Sequence, residues 1–192
     1  FDLEVMKSTN SGTSWSEISG SVHVDQHALA FKPGDPNSLL LGNDGGIYRS
    51  SNGGSSFTKV ASLPVTQFYE IGIDKTNPQR LYGGTQDNGT NRTTTGGLGD
   101  WASIYGGDGF YVIVDPTNPN IIYAESQNGA LGKSTNGGAS FTGATSGIST
   151  TEKKNWSTPV IMDPNNNNIL YYGTNRVYRT TNAASSWTAA SP

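Results

Sequence analysis

The sequence predicts an all-β fold: a β-propeller of four-stranded antiparallel blades, present as about four and a half blades of a larger ring. Three observations carry this. A pattern, Ser/Thr-x-Asn-x-Gly/Ala-x-Ser-aromatic, recurs at Ser8–Trp15, Ser50–Phe57, Ser134–Phe141 and Thr180–Trp187, with a worn copy at Thr93–Trp101. Its closing rings, Trp15, Phe57, Trp101, Phe141 and Trp187, follow at steps of 42, 44, 40 and 46 residues, a length that holds several short strands. No long segment keeps apolar side chains at i, i+3, i+4 and i+7, which excludes a helical repeat.

Each copy of the pattern reads as a tight hairpin turn. Asn bonds its own backbone a residue or two on, and Gly supplies the positive φ such turns need. Flanking hydroxyls add side-chain-to-backbone bonds. The closing ring begins the next strand and is expected to lie between neighbouring sheets, burying apolar area. Every position is explained by turn chemistry, so the pattern speaks for architecture rather than activity.

The units line up in chain order. Residues 1–19 hold the outer half of a blade, with a strand around Leu3–Lys7 and another at Trp15–Ile18. Blades are expected at 20–63, 64–105, 106–145 and 146–192. First strands are read at Ala28–Pro33, Tyr69–Asp74, Tyr111–Pro116 and Pro159–Pro164, short apolar runs stopped by Asp or Pro. Turns rich in Asn-Pro and Asp-Pro follow, then second strands at Ser38–Gly42, Arg80–Gly84, Ile121–Glu125 and Ile169–Gly173. Third strands are read at Ile47–Ser50, Ala130–Ser134 and Val177–Thr180, while Gln86–Gly99 is expected to replace a clean third strand in its blade. A half blade would leave sheet edges open, so the chain is read as part of a larger propeller.

Composition narrows the function classes. With 12 basic against 15 acidic residues, net charge −3 and no basic run, the chain lacks the footprint of a nucleic-acid groove. No apolar run is long enough for a membrane span. Cysteine is absent, which removes disulfides and thiolate metal sites. Abundant Asn, Thr, Ser and Gly fit an exported bacterial protein, secreted or at the cell surface. No cofactor is expected.

In four-stranded blades, the loops leading into first strands and those joining second to third strands share one face. Sorting by that rule gathers His23, Asp25, Gln26, His27, Gln67, Asp108 and Trp156 from the first set, and Asn43, Asp44, Gln86, Asp87, Asn88, Gln127 and Arg176 from the second. Three readings compete. Asp44, Asp87 and Asp108 are candidate acid, base or nucleophile for a glycosidic bond, which needs two carboxyls about 5–9.5 Å apart. His23, Asp25 and His27 alternate, so an extended segment would aim them to one side as an incomplete metal site, zinc being the natural guest. The third and favoured reading is a binding rim, in which amides, carboxylates, Arg176 and the aromatics Tyr69, Tyr105 and Trp156 hold a glycan or a protein ligand. The remaining blades of the same protein are the other expected partner.

The repeated turn resembles the Asp-box, or BNR repeat, of sialidases, xyloglucanases and sortilin-type receptors. His23–Phe31, Gly42–Ser50 and Tyr82–Thr90 are similar to stretches of large secreted bacterial proteins described as glycosyl-hydrolase-like or sortilin-like BNR propellers. Asp115–Tyr123 fits too. The resemblance spans the whole chain and implies the propeller fold. It transfers no catalytic residue: the Gly-Asp-Ile-Gly-Gly-Phe setting of the xyloglucanase Asp is absent, with Gly107-Asp108-Gly109-Phe110 only a loose echo. Arg49, Arg80, Arg92, Arg176 and Arg179 lack the motifs around a sialidase arginine triad.

Overall fold

The computed structural model describes residues 3–63 and 65–192, which divide into two units, 1–65 and 66–192. In the first unit β1 (Met6–Lys7) and β2 (Ser16–Glu17) form a two-stranded antiparallel sheet. A four-stranded sheet follows in chain order: β3 (Gln26–Lys32), β4 (Asp35–Asn43), β5 (Gly46–Ser50) and β6 (Thr58–Lys59). The second unit holds three such sheets. They comprise β7 (Phe68–Ile73), β8 (Leu81–Thr85), β9 (Thr90–Thr93) and β10 (Ala102–Tyr105); β11 (Val112–Val114), β12 (Ile122–Ser126), β13 (Ala130–Ser134) and β14 (Thr142–Gly143); and β15 (Val160–Asp163), β16 (Asn166–Gly173), β17 (Val177–Thr180) and β18 (Thr188–Ala189). Within the sheets all strand pairings are antiparallel and sequential, the meander of a propeller blade. Among the described residues there is no α-helix; one 3₁₀ turn covers Gln127–Gly129.

One expectation is corrected here. The second blade does have a third strand, β9, paired to β8 from Leu81↔Thr93 to Gly84↔Thr90. Its approach is a closed turn: the Thr85 amide and hydroxyl both donate to the Gly89 carbonyl, at 2.9 and 2.6 Å. Thr90 and Thr93 are fully buried: Thr90 stands where Ile47, Leu131 and Val177 stand in the other blades, and Thr93 where Ser50, Ser134 and Thr180 stand.

The core of the second unit lies between sheets. Tyr123, Leu131, Val160, Leu170, Tyr172 and Trp187 form one buried cluster, and Tyr82, Val112, Val114 and Ile122 another. Each fully buried ring or aliphatic side chain contributes about 1.5–3 kcal/mol. Gly84 has no side chain because a Cβ there would overlap the backbone of Gly109 and Phe110 at the start of the following blade. The closing rings are used unequally. Trp187 is buried and donates its indole N–H to the Ala144 carbonyl at 2.7 Å, and Phe141 meets Tyr105 with centroids 4.9 Å apart. Trp15, expected between sheets, is instead 60% exposed.

The repeated turns are near copies in bonding as well as in sequence. In Ser134–Phe141 the Ser134 hydroxyl donates to Asn136 Oδ1 (2.8 Å) and accepts from the Gly138 amide (2.9 Å); Asn136 Oδ1 accepts from the Ser140 amide (3.0 Å). The same bonds recur from Ser8, Ser50 and Thr180. In the worn copy Asp100 reaches back instead, accepting from the Thr93 hydroxyl and from the Thr94 and Thr95 amides at 2.9 and 3.0 Å. These bonds hold its carboxyl well below the usual carboxylate range, the Thr93 hydroxyl contributing most.

A basic residue precedes every turn: Lys7, Arg49, Arg92, Lys133 and Arg179. Within the units, three of them cross to the following blade and donate to the carbonyl of the turn's fourth residue. Lys7 Nζ reaches Gly53 O (2.6 Å), Arg92 Nη1 reaches Gly137 O, and Lys133 Nζ reaches Ala183 O (2.6 Å). At these three junctions, all inside one unit or the other, successive sheets are thus joined by a charged donor on a main-chain acceptor.

Candidate functional site

In the first unit the residues expected at the rim form a small polar cluster. Asn43, at the end of β4, donates to the His23 carbonyl (2.9 Å) and to Gln26 Oε1 (3.1 Å), and Gln26 Nε2 donates to the His23 carbonyl (2.5 Å). Both amides are buried, so they act as staples of the loop leading into β3. The Asn43 side chain also accepts from the Gly45 amide (3.0 Å), closing the turn that carries Asp44. His27 Nε2 pairs with Asp44 across the strand pair. His27 is the extra residue in the register shift between Gln26↔Asn43 and Ala28↔Gly42, and such a bulge re-aims a side chain.

The proposed His23–Asp25–His27 metal group does not assemble. Asp25 adopts φ +62°, β3 begins only at Gln26, and the His23 ring turns to the Val24 carbonyl (3.0 Å), so the alternation needed to align the three is broken. Among the described residues no three His, Cys, Asp or Glu side chains are grouped to hold an ion.

In the second unit the structure brings most of the predicted residues together. Asp108 is the hub: 5% exposed, it accepts from the Asp87 amide (2.6 Å) through Oδ1 and from Gln127 Nε2 (2.8 Å) through Oδ2. It thereby ties the second-to-third loops of two successive blades. The Gln86 amide donates to the Gln67 carbonyl (3.1 Å) and Asn88 Nδ2 to the Gln86 carbonyl (3.0 Å). Asn128 N donates to the Trp156 carbonyl (3.0 Å), extending the chain of loops to the last blade. Arg176 stands apart from this hub. It pairs at 3.6 Å with Glu152, whose carboxylate also accepts from the Tyr178 and Thr174 hydroxyls.

Three rings from three successive blades meet beside Asp108. Tyr69 stacks on Phe110 with centroids 4.9 Å apart and planes 16° apart, and Phe110 meets Trp156 edge-on at 6.0 Å. Phe110 is buried, whereas Tyr69 and Trp156 are 40% and 52% exposed, so a buried ring backs two that face solvent. Tyr69 sits at a bulge between Phe68↔Thr85 and Glu70↔Gly84, the same place in the repeat as His27. Tyr105 is not part of this group; it packs against Phe141.

Sequence reading missed two residues here. Phe110 passed as loop, although it follows the Gly-Asp-Gly that carries the hub. Glu125 passed as a strand end, yet its counterparts by register are Gly42, Gly84 and Gly173; a carboxylate in a glycine position was the available signal. Glu125 is fully buried, accepts from the Thr158 amide of the next blade (2.7 Å) and has no bonding partner at Oε2. Burial pushes its carboxyl up to about 7.

No protein-family model matches the chain, and no curated protein matches it. Solved structures do. An ancestral GH74 enzyme aligns at 22% identity and TM-score 0.54, over 85% of this chain and 23% of that one. A GH74 xyloglucanase from Xanthomonas campestris aligns at 16% identity and TM-score 0.50, over 95% and 34%. A chain of a nidogen/laminin complex aligns at 12% identity and TM-score 0.51, over 100% and 76%. The chain thus spans about a quarter to a third of the GH74 enzymes it resembles. At these identities the likeness shows the fold, and the fold is that of β-propeller blades.

Proposed function

We propose that this chain is a ligand-binding scaffold of the Asp-box propeller type, exported to the cell surface or beyond, which takes a neutral glycan on the loop face of its second unit. The observation that carries the reading is the Tyr69–Phe110–Trp156 group beside an amide-rich rim. Exposed flat rings stack on the apolar faces of sugars, and amides such as Gln67, Gln86, Asn88 and Gln127 supply both donors and acceptors for hydroxyls. The buried carboxylate at the hub is already engaged: Asp108 accepts from the Asp87 main-chain amide and from Gln127. That favours an uncharged ligand over an acidic or basic one. The GH74 likeness suggests soluble β-glucan and xyloglucan oligosaccharides as first probes.

The rival reading, a glycoside hydrolase working through paired Asp residues, gains little from the site. Asp108 spends both oxygens on neighbouring loops, and Asp44 is paired with His27. Titration of the chain with the oligosaccharide panel, and with a library of extended peptides, should quench or shift Trp156 fluorescence for a glycan. Trp156→Ala and Tyr69→Ala should each weaken that binding at least tenfold. Binding of peptides alone, or glycan binding untouched by either substitution, overturns the glycan platform. Release of reducing ends that Asp108→Asn abolishes would reinstate the hydrolase.

A further inference from the structure

Glu125 occupies a place in the repeat where the other blades carry Gly42, Gly84 and Gly173. At Gly84 a Cβ would overlap the main chain of Gly109 and Phe110 in the following blade. One junction later the following chain stands far enough off to admit a whole carboxylic acid, and Glu125 Oε1 accepts from the Thr158 amide of the last blade at 2.7 Å. The side chain is fully buried, and among the described residues its Oε2 has no bonding partner. Loss of the proton would leave a buried, half-paired charge.

The Thr158 amide is the first link in a short run of bonds that ends at the exposed ring of Trp156. The Thr158 hydroxyl donates to the Asn155 carbonyl (2.8 Å), and the Trp156 carbonyl accepts from the Asn128 amide (3.0 Å). Gly129, next to Asn128, is held in turn by Tyr172 Oη, which donates to its carbonyl at 2.6 Å. The walls around Glu125 differ in strength. Strands β12 and β16 are paired along both edges, whereas residues 155–158 are loop ahead of β15. Four titratable groups face the carboxyl from its surroundings: Glu70 of β7, Tyr111 ahead of β11, Tyr172 of β16, and Lys154, whose stem runs beside Gly129. Burial pushes the Glu125 carboxyl up to about 7, outweighing the main-chain amides of Thr158, Tyr111 and Gly129, and the charge of Glu70 adds to the rise.

We propose that Glu125 is a positioning residue for Trp156: its neutral carboxyl keeps the 155–158 segment seated against the third blade, and its ionisation releases that segment. The proton passes from Oε2 to solvent, and the loop is the wall that yields to let water reach the charge. Trp156 is then presented below neutral pH and withdrawn above it. The movement of Trp156 stands apart from the glycan platform, whereas the pH dependence of glycan binding rests on that reading.

Fluorotryptophan incorporated into the full chain gives one fluorine resonance for each of the four tryptophans, and Trp156→Phe assigns the signal of interest. Without ligand, that signal should move with a single midpoint at about pH 7, while the Trp15 signal does not follow it. Glu125→Gln, which keeps an acceptor for the Thr158 amide, should hold it at its low-pH position throughout. Thr158→Val keeps the amide but cuts the hydroxyl link to Asn155, so it should shrink the movement, and it decides the matter if Glu125→Gln does not fold. Affinity for a xyloglucan oligosaccharide should fall about tenfold from pH 6 to pH 8, the change in neutral fraction of a group titrating at about 7, and should stay level in Glu125→Gln. A Trp156 signal that does not titrate, that titrates alike in Glu125→Gln, or that moves undiminished in Thr158→Val overturns the inference. Glycan affinity that stays level with pH in the unaltered chain overturns it too. A titrating signal abolished by Glu125→Gln, in a chain that binds no glycan, supports the inference and removes the glycan platform instead.

Discussion

Set the repeated turns beside the loops at the other end of the same strands. The turns at Ser8, Ser50, Ser134 and Thr180 make the same bonds to within a few tenths of an ångström. The loops differ in their side-chain pairing: a His–Asp pair in one blade, a carboxylate hub in the next two, an Arg–Glu pair in the last. Where a structure repeats its chemistry, each copy solves one folding problem, closing a hairpin. Where it abandons the repeat while keeping the strands, the constraint on those residues is something other than closure.

That contrast can be broken most forcefully in the turns. Asn136→Ala removes the acceptor of the Ser140 amide, a donor to the Ser140 hydroxyl (2.9 Å) and the acceptor of the Ser134 hydroxyl. Losing three such bonds should cost about 3 kcal/mol in urea unfolding. Glycan binding, measured on the folded fraction, should be unchanged.

Glu125 comes next, because it is a departure from the repeat that is buried rather than displayed. Its carboxyl is raised from 4.5 to about 7 by burial in the folded chain. The folded state therefore holds the proton more tightly than the unfolded one. Stability should be greatest below about pH 4.5 as far as this group is concerned, and should fall as the pH rises towards 7. Glu125→Gln keeps the acceptor for the Thr158 amide and removes the charge. It should flatten that slope and raise stability at pH 8 by on the order of 2 kcal/mol, with little change at pH 4.5. Thermal melts of both proteins at intervals between those pH values decide it.

Smaller effects sharpen the picture. The fourth turn places Ala183 and Ala184 at φ +53° and +62°, where the third has glycines at +70° and +86°. Ala183→Gly should relieve the strained backbone and stabilise by about 1 kcal/mol, read as a rise in melting temperature. Trp156→Ala, at a half-exposed rim position, should shift stability by less than about 0.5 kcal/mol while abolishing most binding. If it unfolds the chain instead, the ring belongs to the architecture.

The blades were legible because their determinants are local. Asn, Gly and hydroxyl residues at fixed offsets define the turn, and short apolar runs ending in Asp or Pro define β3, β7, β11 and β15 to within two residues. The third strand of the second blade was missed because its buried positions are Thr, which does not stand out in a Thr-rich stretch. At the rim, residue identity was readable and aim was not. The bulges at His27 and Tyr69 turn on pairing register, which no run of letters prints. The hub at Asp108 unites segments about 20 residues apart on either side, and only the stacking of blades brings Asp87 and Gln127 to it. Trp15 and Trp187 look alike in sequence, and their opposite exposures come from what lies against them.

Lys7, Arg92 and Lys133 each seize a backbone oxygen, and the residue that owns it is Gly in two cases and Ala in the third. Such a clasp is indifferent to the identity of what it holds. A segment of some forty residues can therefore be duplicated, deleted or exchanged for a sister copy without a compensating change at the seam, and loop variety can accumulate on a joint that never has to be re-matched.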